Sequence, residues 1–241
     1  MASSSAFTRV KRQIIAPALV TSRIERLAYL TKKPGVVALC FHGVTNVPCP
    51  ALRQRHMPVG HFRSLLRYLK QHFDVVPSGE IGNIPSRSKR WRVSLTFDDG
   101  YLNNVSTALP VLEEMGLPAT FFIPTLGFAD NGIVWSNVVD LIAHTVAQGT
   151  EFQAGEMRVL RTRQGLVDAD TGEDLHAMMK RMAPAERDAA VQCLQQTDLF
   201  TSVLDRADPS CWQHMRREQL VTVAAHPLIT IGSHGHNHYN L

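Results

Sequence analysis

The chain has 241 residues, of which 44% are hydrophobic and 19% charged, and its net charge is +4. These values exclude the disordered and fibrous classes, and the length suffices for one large domain or two small ones with a substantial core. Its basic residues follow no aromatic-interleaved pattern, so we expect no nucleic-acid partner.

Residues 1–35 read as a basic N-terminal arm, with an amphipathic helix predicted at 8–30. Its apolar run "IIAPALV" is short and interrupted by proline, so we predict neither a cleaved signal peptide nor a membrane span. A solvated surface helix is the expected state, with peripheral membrane contact as the alternative. We therefore predict a cytoplasmic location.

The four cysteines are Cys40, Cys49, Cys193 and Cys211. They show no CxxC or other zinc-ribbon spacing. Because Cys40 lies in an apolar run, we predict that it is a buried free thiol. Nothing in the spacing of the four requires an oxidising compartment.

The first half of the chain alternates between strands and one clear helix. "GVVALCFHGV" and "WRVSLTFDDG" read as fully buried strands, and "FDVVPSGEI" reads as a short strand followed by a turn. Between "GVVALCFHGV" and "FDVVPSGEI", apolar residues recur at helical spacing, which predicts an amphipathic helix over residues 60–72. This order favours an α/β fold.

The pattern continues beyond the DDG sequence. A helix is predicted with Ser106 or Thr107 as N-cap, Pro110 in its first turn and Gly116 at its end. "PATFFIPT" reads as the next strand, and Ser136 is the predicted cap of the helix after it. Strands and helices at this spacing predict βαβ units and a parallel sheet.

Residues 150–210 interrupt the alternation and read as a helical insertion. One helix is predicted to open at "TGED" and another at Pro184, where proline suits a first turn. The alternation resumes with a helix at about 212–225 and the strand "LITIGSH".

Ionisable residues follow three of the predicted strands, and in a parallel sheet such strand ends meet at one edge. They are His42, the adjacent Asp98 and Asp99, and the "HGHNH" group of His234, His236 and His238. Two histidines and a carboxylate leave one metal position open for water, as in catalytic zinc sites, and a second carboxylate can act as general base. The alternatives are an ordinary turn at DDG and a solvated histidine tail.

Several motifs together make the chain similar to the polysaccharide deacetylase family, the NodB-homology domain. They are "TFDDG" after a hydrophobic strand, "ATFFIPT" about twenty residues later, and "IGSHGHNHYNL" after "EQLVTVAAHPLIT". "LCFHGV" and "MPVGHFRSLLRYLKQHFDVVPSGEI" also resemble the early part of family members. The resemblance runs over 36–241, loosely at 150–210, and implies a distorted (β/α) barrel.

The resemblance also implies roles for individual residues. Asp98 falls on the family's general base and Asp99 on its metal-binding aspartate, while His234 and His238 fall on the two histidine ligands. Zn²⁺ is the implied metal, with Co²⁺ or Ni²⁺ as alternatives, and the implied substrate is an N-acetylated, alternatively O-acetylated, sugar of a polysaccharide or glycolipid. His236 receives no role, and His42 either lines the site or is structural.

Two departures from the family pattern affect these expectations. Gly235 stands where the family usually has Ser or Thr, and the sequence ends at Leu241, before the family's Arg-Pro, Asp-Trp and Leu-x-His segments. The resemblance therefore implies a barrel that lacks its C-terminal strands. A non-catalytic remnant with only a metal half-site is the alternative to a working deacetylase, and an unrelated α/β protein is the third reading.

Overall fold

The structure is a computed structural model and describes residues 34–52, 55–83, 90–128 and 132–238. The predicted helix at 8–30 lies outside these residues, as does the predicted basic arm except for its last two residues.

Within the described ranges, no helix combines the length and the apolar character that crossing a membrane requires.

The elements follow the chain order that the sequence predicts, with additional strands before the first helix and after residue 150. The strands are β1 (Val36–Phe41), β2 (Gly43–Thr45), β3 (His56–Pro58), β4 (Asp74–Val75), β5 (Arg92–Phe97), β6 (Ala119–Ile123), β7 (Glu151–Ala154), β8 (Met157–Arg161), β9 (Leu166–Asp168) and β10 (Ile229–Ser233). The α-helices are α1 (Val59–His72), α2 (Leu109–Met115), α3 (Trp135–Thr145), α4 (Leu175–Arg181), α5 (Pro184–Gln195), α6 (Asp198–Arg206), α7 (Pro209–Trp212) and α8 (Arg217–Ala224).

A parallel five-stranded sheet organises the first core, which confirms the predicted α/β class. Its order is β1-β5-β6-β10, and β4 pairs in addition with the start of β5. β5 and β6 consist mainly of buried residues, as expected for strands covered on both faces. Among the described residues β10 pairs with β6 alone, so this part of the sheet is not closed into a barrel.

β1 differs from the fully buried strand that its composition predicts. Its residues alternate between exposed and partly buried positions, and only Phe41 at its end is buried. Cys40 is exposed, so the prediction of a buried thiol is wrong. The cause is that one face of β1 is open to solvent, which a run of apolar letters does not reveal.

The helix after the DDG sequence begins earlier than predicted. It contains a π-helical turn, Asn104–Ala108, that runs directly into α2, so neither Ser106 nor Thr107 is an N-cap. The wider turn accommodates Pro110, which has no N–H to donate to the preceding turn. Gly116 ends the helix as predicted, with a φ of 62°.

The second core forms around the segment predicted as a helical insertion. Helices open at both predicted points, with Asp174 capping α4 and Pro184 starting α5, but an antiparallel sheet β7-β8-β9 precedes them. α3 packs against α5 and α6 in this core and begins after Val134, so Ser136 is not its N-cap. The three strands could not be predicted because they are short and carry charged residues beside their apolar ones.

Candidate metal centre

The site lies where the strands of the parallel sheet end. β5 and β10 both pair in parallel with β6, so their carboxyl ends reach the same edge of the sheet. The DDG turn follows β5 and the HGHNH segment follows β10. The sheet therefore brings together two segments that are more than 130 residues apart in the sequence.

A sharp backbone turn separates the two aspartates. Asp99 has a φ of 67° and Gly100 a φ of 62°, so two consecutive residues adopt the left-handed conformation. For a residue with a side chain this conformation costs on the order of 1 kcal/mol. The turn leaves Asp98 half-buried, whereas Asp99 is only 2% exposed.

Backbone hydrogen bonds fix the histidine loop to the residues after β6. The His234 N–H donates to the Ile123 carbonyl, and the N–H of Thr125 donates to the Gly235 carbonyl. Gly235 has a φ of 76°, which only glycine adopts without strain. A Ser or Thr at this position would be strained in this loop.

Asp99, His234 and His238 converge on one point. The Oδ1 atom of Asp99 lies 3.0 Å from Nε2 of His238 and 3.5 Å from Nε2 of His234. One ligand atom from each of the three residues falls within 4.8 Å of the other two. In a tetrahedral zinc site with Zn–N bonds of about 2.0–2.1 Å, neighbouring ligand atoms are about 3.3 Å apart, so this spacing fits the ion.

The hydrogen bonding of the three side chains supports the same conclusion. Asp99 Oδ1 is buried and, among the described residues, makes no hydrogen bond of acceptable geometry, although two imidazole nitrogens are close to it. A buried carboxylate oxygen without a hydrogen bond is costly, and coordination of a cation removes that cost. The three residues therefore form a donor set that suits Zn²⁺.

The histidines also set the charge of this group. Burial alone would raise the pKa of Asp99, but the nearby His234 and His238 outweigh it and hold that pKa below its usual range. The pKa of His234 is raised, first by Asp99 and also by the charge of Asp98. Asp99 is therefore ionised at neutral pH, as a metal ligand must be.

Asp98 lies at the edge of this group and has a different partner. Its Oδ2 atom accepts a hydrogen bond from the Cys40 thiol at 3.2 Å. Although Cys40 is exposed overall, partial burial of its thiol together with the hydrogen bond to Asp98 raises the pKa of Cys40 to about 11, so the thiol stays protonated and remains a donor. Asp98 thus sits beside the candidate ligands with one oxygen held in place.

The structure also locates the two histidines without an assigned role. The Nδ1 atom of His236 lies 2.5 Å from Oγ1 of Thr125, away from Asp99. His42 lines a pocket of about 350 Å³ with Cys40, Arg55, His56 and His61.

Behind Asp99 lies a buried polar cluster that the sequence did not predict. Tyr101 is fully buried, and its hydroxyl accepts a hydrogen bond of 2.7 Å from Nδ2 of Asn137 on α3. His56 packs edge-on against the Tyr101 ring, and His214 stacks on it. No spacing in the sequence signals this cluster, because its members come from four separate segments.

A disulfide bond joins Cys49 and Cys211, which are 162 residues apart. Sequence spacing gave no sign of this pair, since distant cysteines are brought together only by the fold. Cys40 and Cys193 are free thiols.

Comparison with known proteins finds one family profile that matches part of the chain. The sequence profile described as "Polysaccharide deacetylase" matches residues 86–155, which include β5, the DDG turn and β6. No curated protein sequence matches the chain.

Several solved structures are similar to the chain. IcaB from Ammonifex degensii shares 20% identity at a TM-score of 0.36, over 72% of this chain and 81% of its own. A polysaccharide deacetylase from Bacillus cereus shares 15% identity at a TM-score of 0.36, over 78% of this chain and 68% of its own. The Streptococcus pyogenes deacetylase PplD, solved in complex with acetate, shares 14% identity at a TM-score of 0.34, over 78% of this chain and 96% of its own.

Proposed function

We propose that this chain is a metal-dependent hydrolase of the polysaccharide deacetylase family and removes acetyl groups from a carbohydrate; the match of residues 86–155 to that family's profile supports the proposal. The proposed substrate is an N-acetylated, alternatively O-acetylated, sugar of a polysaccharide or glycolipid. The proposed unit is residues 36–241, with 150–210 as an insertion in it.

The observation that carries this proposal is the convergence of Asp99, His234 and His238 on one point. We propose that these three side chains hold a divalent ion, Zn²⁺ in the first place and Co²⁺ or Ni²⁺ as alternatives. When bound, such an ion supplies a Lewis acid that polarises the acetyl carbonyl and lowers the pKa of water. Three protein ligands leave room for water and substrate.

We propose that Asp98 is the general base, and its place next to Asp99 in the sequence supports this role. Its Oδ2 accepts a hydrogen bond from the Cys40 thiol, so we propose Oδ1 as the oxygen that accepts a proton from the attacking water. Hydrolysis forms a bond between the water oxygen and the acetyl carbon and breaks the bond from that carbon to the sugar nitrogen, which takes up the proton that Asp98 accepted from the water. The products are acetate and the free amine.

Acetate release from an N-acetylated oligosaccharide by the purified full chain, with Zn²⁺ or Co²⁺ added, tests this function. Asp98→Asn should lower the rate on the order of 10²- to 10⁴-fold because the base is lost, while metal content stays that of the wild type. Asp205→Asn, on the exposed face of α6, is the matched control and should change neither. Equal acetate release by wild type and Asp98→Asn would refute the base role.

The proposed cellular compartment of the protein rests on a separate observation, the disulfide bond. Disulfides persist in oxidising environments and are rare in the cytosol, and Cys49 is bonded to Cys211. In place of the predicted cytoplasmic location, we propose a compartment in which this bond stays oxidised.

A further inference from the structure

We propose that His214 is a positioning residue for the metal ligand Asp99, acting through the backbone carbonyl of Asp99. The inference rests on the proposed metal-binding role of Asp99. His214 lies between α7 and α8, outside the motifs that carry the family resemblance, and it is not one of the three residues whose ligand atoms converge.

The contact itself defines the role of the imidazole. Nδ1 of His214 lies 2.8 Å from the backbone oxygen of Asp99. A carbonyl oxygen only accepts, so Nδ1 carries the hydrogen and donates it. The side chain of His214 is therefore held as the Nδ1–H tautomer, directed at the residue whose carboxylate faces the candidate metal position.

The neighbours of His214 extend this contact into a short antiparallel pairing with the DDG turn. Tyr101 and His214 form a β-bridge. The Leu102 N–H donates to the Gln213 carbonyl at 2.8 Å, and the Met215 N–H donates to the Gly100 carbonyl at 2.9 Å. Residues 213–215, hereafter the strap, therefore bind the carbonyls of both left-handed residues of the turn.

This pairing matters because the turn is strained. Asp99 holds a φ of 67° despite its side chain, and such a conformation persists only where surrounding contacts impose it. The direction of the Asp99 carboxylate depends on this conformation. Removing the His214 imidazole removes its hydrogen bond to the Asp99 carbonyl. His214 therefore helps to set the direction of the Asp99 carboxylate.

The strap is itself held by two independent anchors. Cys211, three residues before His214, is bonded to Cys49. Asn103 donates from Nδ2 to the Ser210 carbonyl at 3.0 Å, and its Oδ1 accepts from the Val44 N–H at 3.2 Å. His214 therefore donates from a fixed position, as residues that orient metal ligands do.

Substitutions at His214 separate this role from simple packing. His214→Phe keeps an aromatic ring for stacking on Tyr101 but removes the donor, whereas His214→Asn places an amide N–H near the position of Nδ1. Zn²⁺ affinity is measured on the full chain by competition with a chromophoric chelator, and the site geometry by the visible absorption of the Co²⁺ form. Unfolding curves of the metal-free proteins report stability.

We expect His214→Phe to bind Zn²⁺ about 10- to 100-fold more weakly, the range known for residues that orient metal ligands, with an altered Co²⁺ spectrum. His214→Asn should recover most of the affinity and the wild-type spectrum. The control is His226→Phe, since His226 precedes β10 at the opposite end of the sheet and pairs with Glu113. Its affinity and spectrum should match the wild type.

Wild-type affinity and spectrum in a folded His214→Phe protein would overturn the inference. If that variant does not fold, His214→Gln takes its place, because its amide lies one bond farther from the backbone and misses the Asp99 carbonyl. A folded His214→Gln protein with the Zn²⁺ affinity of the wild type would overturn the inference equally. A wild-type chain that binds neither Zn²⁺ nor Co²⁺ would instead refute the proposed function.

Discussion

The three histidines of HGHNH have different partners, although they occupy alternate positions in the sequence. His234 and His238 face Asp99, whereas His236 faces Thr125. In an extended segment all three rings would point to one side. The loop is not extended, because Gly235 and His238 both have positive φ values. Only His234 and His238 therefore share the proposed metal position with Asp99.

Metal binding should distinguish these histidines. His234→Ala and His238→Ala each remove a proposed ligand, so we expect Zn²⁺ affinity to fall by at least about 100-fold, with loss of the Co²⁺ absorption. His236→Ala removes only the contact with Thr125, so its affinity should stay within a few-fold of the wild type. Zn²⁺ titration against a chromophoric chelator measures all three.

The unfolding midpoint of each variant in the presence of a chelator serves as the control for folding. A loss of Zn²⁺ affinity of equal size in all three variants would contradict the prediction that His236 is not a metal ligand. Full affinity in His234→Ala or His238→Ala would remove that residue from the proposed ligand set.

At the level of elements, the sequence predicts the parts that repeat a pattern. β5 and β6 follow from their apolar runs, α1 from its helical spacing, and the metal group from strand ends that share an edge. The strap and the sheet β7-β9 could not be predicted, since each depends on contacts between distant or charged segments. The Cys49–Cys211 disulfide could not be predicted for the same reason.

The Cys49–Cys211 bond should contribute strongly to stability. It links residues 162 apart, and closing so long a loop lowers the entropy of the unfolded chain. We expect the double variant Cys49→Ser/Cys211→Ser to lose on the order of 2–5 kcal/mol in the free energy of unfolding. Urea unfolding of the full chain, followed by circular dichroism, measures the difference.

The matched control is Cys40→Ser, which removes an exposed free thiol and should leave the urea midpoint unchanged. Alkylation of the denatured, non-reduced chain should find two free thiols, Cys40 and Cys193, and four after reduction. Four free thiols before reduction, or a urea midpoint that reductant does not shift, would contradict the bond and with it the proposed oxidising compartment.

In the molecule as a whole, the two cores meet behind the metal group. The first core surrounds the parallel sheet, and the second contains α3 and the segment after residue 150. Asn137 of α3 bonds the hydroxyl of Tyr101, which directly follows the DDG turn. Asn237 of the histidine loop bonds Asp188 of α5. The second core thus contacts both segments of the candidate site. The insertion, which contains Asp188, therefore helps to hold the histidine loop in place.

This junction contains a buried histidine that makes global stability depend on pH. His56 is 6% exposed, its two ring nitrogens find no hydrogen-bond partner within the described residues, and its ring packs against Tyr101. Burial lowers the pKa of His56 to about 4, and the charge of Arg55 acts in the same direction. His56 is therefore neutral in the folded protein at neutral pH.

The sign of the pH dependence follows from linkage. Between pH 6.5 and about 4 the unfolded chain protonates His56 while the folded protein does not, so falling pH favours the unfolded state. The stabilisation is complete above pH 6.5 and is lost as pH falls through this window. From the size of the pKa shift we expect a loss on the order of 2–3 kcal/mol.

His56→Phe should remove this contribution, because Phe keeps a ring against Tyr101 and cannot be protonated. Urea unfolding in the presence of a chelator at pH 7, 6, 5 and 4.5 should show a smaller decline in His56→Phe than in the wild type. The control is His61→Phe, since His61 is exposed on the same pocket and its variant should follow the wild-type decline. Parallel pH curves for wild type and His56→Phe would show that His56 does not set the acid sensitivity of the fold, because the comparison cancels every other titrating group that the two proteins share.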